Sequence, residues 1–227
     1  MSLAHQFLFG VYPYIAATIF LLGSLVRFDR EQYTWKSDSS QLLRRGQLRL
    51  GNTLFHSGVI LLFFGHLVGL LTPSEIYHAF GLTAASKQTM AMTAGGVFGT
   101  LCFIGLAILL HRRLSEPRIR AVTSRMDVVV LSWILATLGL GLYTIAVSAG
   151  HPDGSVMVAL AHWAQHVVTF RSDAASFIVD APLIYKVHLF FGMTLFVLFP
   201  FSRLVHVWSG FASVAYLARA YQVVRHR

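Results

Sequence analysis

Five long windows of this chain are almost free of charge: residues 4–26, 51–71, 89–111, 127–149 and 182–206. No other feature constrains the fold as strongly. A helix rising about 1.5 Å per residue needs about 20 apolar residues to cross about 30 Å of hydrocarbon, and in lipid a spanning chain must satisfy its backbone polar groups internally. The windows therefore predict an all-α integral membrane protein, a bundle of five transmembrane helices. Composition agrees, since 12% of the chain is charged, against about 25% in soluble domains. The first window follows no Lys or Arg and exceeds the short apolar core of a signal peptide, so it is expected to remain in the mature protein.

The basic residues orient these helices. Of 18 Lys and Arg, the first loop holds Arg27, Arg30, Lys36, Arg44, Arg45 and Arg49, and the third holds Arg112, Arg113, Arg118, Arg120 and Arg125. The end of the fifth helix and its tail, 207–227, add Arg203, Arg219, Arg225 and Arg227. Lys87, Arg171 and Lys186 alone fall on the other side. The excess of cytoplasmic Lys and Arg in membrane proteins then places the N-terminus outside and the C-terminus in the cytoplasm. It also accounts for the pI of about 10.2 without nucleic acid, for neither basic loop has the interleaved aromatics of a single-strand platform.

Cysteine usage excludes much chemistry. Cys102 is the sole cysteine, so this chain can form no internal disulfide, no thiolate zinc site, no CxxCH haem attachment and no Cys-ligated iron–sulfur cluster of its own. Two polar regions remain, 27–50 in the cytoplasm and 150–181 outside. In the second, GSVMVALAHWAQHVVTF reads as a surface helix lying across the bundle.

The eleven histidines carry the chemistry. His5, His78, His111, His151 and His226 fall at helix ends, in loops or in the tail. His162 and His166 stand four apart, a metal-ligand spacing, but with no third ligand near in sequence no metal is expected there. His56 and His66 lie in the second window and His188 and His206 in the fifth. Ionisable residues inside a bilayer face the bundle interior and need partners there. The two helices run in opposite directions, so His56 and His206 share the cytoplasmic half while His66 and His188 share the outer half. Contact between imidazoles, or hydrogen bonds to backbone and hydroxyls, would satisfy some of these nitrogens. An iron between each pair explains why both members are histidine, twice over: two bis-His haems.

Spacing tests this reading. The first two histidines are ten residues apart, about 15 Å of helix, and the second two eighteen, about 27 Å and five whole turns. Helices two and five would then cross at an angle, with helix tilt absorbing the mismatch. Gly58, Gly65, Gly69, Gly95, Gly96, Gly99 and Gly192 remove bulk either for a macrocycle or for close helix packing. Arg203, one turn before His206, is placed for a haem propionate or for lipid phosphates. A dihaem reductase with another donor, and a non-haem transporter or membrane anchor, remain as alternative classes.

The runs FDREQYTW, SKQTMAMTAGG, HRRLSEPRIRA, QHVVTF and LFFGMTLFVLFPFSRLVHVW, in this order and spacing with the four histidines, resemble the membrane gamma subunit of bacterial respiratory nitrate reductase. The resemblance covers nearly the whole chain and implies one transmembrane cytochrome b domain over 1–227, in the cytoplasmic (inner) membrane. It implies two haem b groups, the inner held by His56 and His206 and the outer by His66 and His188. Membrane quinol, menaquinol or ubiquinol, would be oxidised near the outer haem, with Lys87 at the quinol site and His66 touching a quinol oxygen. Electrons would pass inward to an iron–sulfur beta subunit and from there to a molybdenum catalytic alpha subunit.

Overall fold

The computed structural model describes residues 1–31 and 45–210, and the described residues are helical throughout, with no strand. Lys36, Arg44, Arg219, Arg225, Arg227, His226 and the tail beyond residue 210 lie outside the described residues. The elements are α1 (Leu3–Arg30), α2 (Arg45–Leu71), the short α3 (Ser74–Ala79), α4 (Ala84–Ser115), the short α5 (Pro117–Ala121), α6 (Arg125–Ser148), α7 (Ser155–Val168) and α8 (Leu183–Leu198). Among the described residues five helical stretches are long and apolar enough to cross a membrane, one in each window expected from the sequence.

The helices outrun their apolar windows because polar residues build their ends. Thr83 and Ser86 form a reciprocal capping box that starts α4, which satisfies amides left over at a helix start. Lys87 consequently sits in the first turn of α4, ahead of the apolar window 89–111. Ser124 and Asp127 do the same for α6.

The fifth span departs from the continuous helix expected over 182–206. It ends at Leu198, passes through 3-10 turns at Phe199–Phe201 and Arg203–Val205, and is extended at Ser202. Pro200 is the cause: it has no N–H, and its ring disfavours helix at the residue before it. Arg27 of α1 donates from Nη1 to the Pro200 and Ser202 carbonyls at 2.7 and 2.8 Å, partnering two acceptors that the broken helix leaves. The whole-turn register between His188 and His206 therefore does not apply.

Packing runs α2 on α4, α4 on α6, α6 on α8 and α8 on α1. The α2–α4 crossing is tight, since a Cβ on Gly58 would stand 2.6 Å from Cys102 Cβ and one on Gly105 would meet the Gly51 carbonyl at 2.8 Å. α7 is buried along Ala161, Trp163 and Ala164, and it closes the end of the bundle where α1 begins. Pro13 cannot donate to the Phe9 carbonyl four residues earlier, and that carbonyl accepts Trp163 Nε1 at 2.9 Å. Gln165 Nε2 donates to the Leu70 carbonyl at 3.1 Å, which joins α7 to the end of α2. At its own end α7 closes with Arg171 N–H on the His166 carbonyl at 2.9 Å, a Schellman arrangement with Phe170 in the left-handed conformation at φ 59°.

Candidate functional site: two histidine pairs

The fold brings the four histidines of the apolar windows together in two pairs. The rings of His56 and His206 have centroids 6.3 Å apart, and those of His66 and His188 6.2 Å apart. No hydrogen bond joins the members of either pair. His56 Nδ1 donates to the Asn52 carbonyl at 2.9 Å, His66 Nδ1 to the Leu62 carbonyl at 2.8 Å and His206 Nδ1 to the Arg203 carbonyl at 2.6 Å. A carbonyl can only accept, so each of these Nδ1 atoms carries the proton and each Nε2 keeps a free lone pair. His188 differs: its Nδ1 is buried without a hydrogen bond.

The glycines expected to make room divide into three groups. A Cβ on Gly95 or Gly96 would make only ordinary contact with Ile145 Cδ1, at 3.8 and 3.9 Å. Gly58 and Gly99 serve close packing, against Cys102 and Leu142. Gly65 and Gly69 on α2 and Gly192 on α8 would carry a Cβ with nothing within 4 Å. The open positions thus lie on α2 and α8 close in sequence to His66 and His188, the outer pair.

Lys87 shares the N-terminal end of the bundle with His66 and His188. Its Nζ lies 4.2 Å from the centroid of the buried Tyr77 ring, a cation–π distance. Thr72, His162 and Gln165 line the same small cleft. His162 packs on Phe177, and His166 Nδ1 bonds Asp173 Oδ1 at 2.7 Å. That bond holds the Asp173 carboxyl below the usual carboxylate range. Among the described residues no group of three or more His, Cys, Asp or Glu side chains is placed to hold a metal ion.

The sequence pattern of the family described as "Nitrate reductase gamma subunit" matches residues 5–227. The chain belongs to the nitrate reductase gamma subunit family. It is 49% identical to the respiratory nitrate reductase 1 gamma chain of Escherichia coli (strain K12) over 227 residues, all of both chains. It is 48% identical to the respiratory nitrate reductase 2 gamma chain of the same organism over 221 residues, 97% of this chain and 96% of that one. The nitrate reductase gamma chain of Bacillus subtilis (strain 168) is 36% identical over 222 residues, 98% of each.

One structural group of this gamma-family chain escaped the sequence reading. Asp127 accepts from Arg203 Nε at 2.6 Å and from Arg113 Nη1 at 3.2 Å. It is the single acidic residue in the five apolar windows, and an intramembrane carboxylate requires partners, so the signal was present. Arg203, expected to meet a propionate or lipid, has its Nε on this carboxylate.

Proposed function

We propose that this chain is the dihaem cytochrome b subunit of a quinol-oxidising respiratory nitrate reductase complex in the bacterial cytoplasmic membrane. The ring spacing of the two histidine pairs carries the reading. The rings stand 6.3 and 6.2 Å apart, a gap wide enough for one metal ion bonded between two imidazole nitrogens at about 2.0–2.1 Å each. Two imidazoles in direct hydrogen bond, at about 2.9 Å between nitrogens, would be closer. Each pair offers two side-chain ligands and no third, so the remaining coordination would belong to a macrocycle, for which the open ground at Gly65, Gly69 and Gly192 leaves space beside His66 and His188. His56 and His206 would hold the inner haem, His66 and His188 the outer. Bound there, haem supplies a one-electron carrier in each half of the membrane.

The chain's own residues do the rest. The basic-residue distribution puts the N-terminus, Lys87 and the His66/His188 pair outside, and the C-terminus in the cytoplasm. Lys87, held over Tyr77, would donate a charge-assisted hydrogen bond to a quinol oxygen, and His66 would touch the same quinol from the outer pair. A quinol oxidised there releases two protons outside while its two electrons leave through the His56/His206 end. Charge is separated with no proton channel. Arg203 has N–H donors beyond the one given to Asp127, and we assign a propionate of the inner haem to them. Arg113, Arg118, Arg120 and Arg125 lie on the cytoplasmic side, where an iron–sulfur subunit and a molybdenum catalytic subunit would receive the electrons.

Spectra of purified membranes test this directly. Dithionite should reveal b-type bands from two haems per chain, and quinol should reduce them. A missing b-type band would return the chain to the non-haem class; haems reduced by dithionite but not by quinol would make it a reductase with another donor.

A further inference from the structure

Three of the four paired histidines are oriented by carbonyls close behind them in sequence, at Asn52, Leu62 and Arg203. His188 is not, and its surroundings come from a different helix. The Thr137 carbonyl of α6 faces it. One turn further along α6 stands Gly141, where a Cβ would lie 2.9 Å from His188 Cε1, 3.5 Å from Nε2 and 3.6 Å from Nδ1. Residues four apart on a helix share a face, so Thr137 and Gly141 both stand on the side of α6 that meets the imidazole. Gly139, two residues away, is unlike Gly141: a Cβ there would meet only Phe103 Cε2, at an ordinary 3.7 Å.

We propose that Gly141 is a positioning residue for the outer haem: the absence of a side chain there sets where the His188 imidazole seats and how its ring is turned about the metal bond. The inference rests on the assignment of His188 as a ligand. A ring with no ligand duty could swing away from an added methyl at little cost. A ring fixed at Nε2 by a metal has rotation about that bond, and slight tilt, as its main freedom. An added methyl therefore acts on the turn of the imidazole plane, to which the spectroscopic signature and potential of a bis-imidazole centre respond. The His56/His206 pair lies at the other end of the bundle and provides an internal control.

The test is Gly141→Ala in the assembled complex, beside Gly139→Ala and His188→Ala, with haem content, low-spin electron paramagnetic resonance and redox titration of both haems. In Gly141→Ala the outer haem's low-spin signal and midpoint should shift, or the outer haem be lost outright, while the inner haem keeps both values. Gly139→Ala should match the parent. An unchanged outer haem in Gly141→Ala would overturn the assignment. So would an equal shift in Gly139→Ala, and so would joint loss of both haems, which would mark Gly141 as a packing residue of the whole bundle. His188→Ala separates the two layers of the argument: if it retains two haems, the ligand assignment itself fails, and if it loses the outer one, a silent Gly141→Ala refutes the positioning role alone.

Discussion

Arg203 Nε meets Asp127 Oδ1 at 2.6 Å, and by that bond the segment carrying His206 is fastened to the first turn of α6. The same Arg203 supplies, through its carbonyl, the acceptor for His206 Nδ1. One residue, by its side chain and its carbonyl, thus joins a buried carboxylate to the orientation of an imidazole.

Asp127→Asn should therefore be felt at His206. Removing one partner of a buried ion pair costs about 3–5 kcal/mol, and with Asp127 and Arg203 retaining some exposure we expect about 2–3 kcal/mol. The measured result should be a lower melting temperature in detergent and a weakened or lost inner haem, with the outer haem retained. A variant with normal stability and an unaltered inner-haem spectrum would show that the bond does not hold the segment.

Lys87→Ala should keep both haems and slow their reduction by quinol, while a small artificial reductant still works normally. The lost charge-assisted hydrogen bond is worth about 1.5–3 kcal/mol, or about 10 to 100-fold in quinol affinity. A parental rate at sub-saturating quinol would refute the assignment of this lysine.

Gly105→Ala should part α2 from α4. The new methyl would meet backbone of α2, including the Gly51 carbonyl at 2.8 Å, and backbone cannot swing aside. A cost of about 1–3 kcal/mol is expected from such overpacking, beyond any helix-propensity gain from alanine. Gly46→Ala, with nothing within 4 Å of its added carbon, should be neutral. Comparable thermal stability of the two variants would count against the tight crossing.

Acid should loosen the turn after α7. The His166 bond lowers the Asp173 carboxyl below its ordinary value, so its contribution is fully present above the unfolded value of about 3.9 and fades as pH falls through the lower folded one. Corrected amide-exchange rates over residues 169–173 should be flat from about pH 7 to pH 5 and rise in acid. Asp173→Asn should show the raised rate throughout; identical profiles for the two proteins would dismiss the pair.

The sequence disclosed the five spans and the pairing of the histidines because both signals are contrasts of polarity. Imidazoles in apolar windows need partners, and antiparallel helices leave each one a single counterpart at its own depth. What stayed hidden depends on three-dimensional neighbours. The break at Pro200 lay inside Phe-Pro-Phe, which hydropathy scores as continuous span. Lys87 falls outside the apolar window 89–111, and hydropathy alone does not show that Thr83 and Ser86 start α4 ahead of it. Asp127 sits at a window edge, where a carboxylate looks like an ordinary helix boundary, and its task of holding Arg203 requires knowing where α8 ends. Nor can spacing tell which of 18 glycines stands against His188.

The hydrogen bond from Trp163 to the Phe9 carbonyl also sets a schedule for biogenesis. Its donor and acceptor are 154 residues apart, so when α1 emerges from the ribosome the indole that completes it has yet to be translated. Until then Pro13 leaves α1 with an unfinished ladder near its outer end, where water can serve but hydrocarbon cannot. The first helix should thus settle to its final depth only after synthesis has passed Trp163, early in the last third of the chain. Cysteine-accessibility mapping of membrane-bound nascent chains tests this: residues near Phe9 should be more reactive in chains stopped before residue 155 than in the full-length protein, and equal reactivity would mean that α1 seats itself unaided.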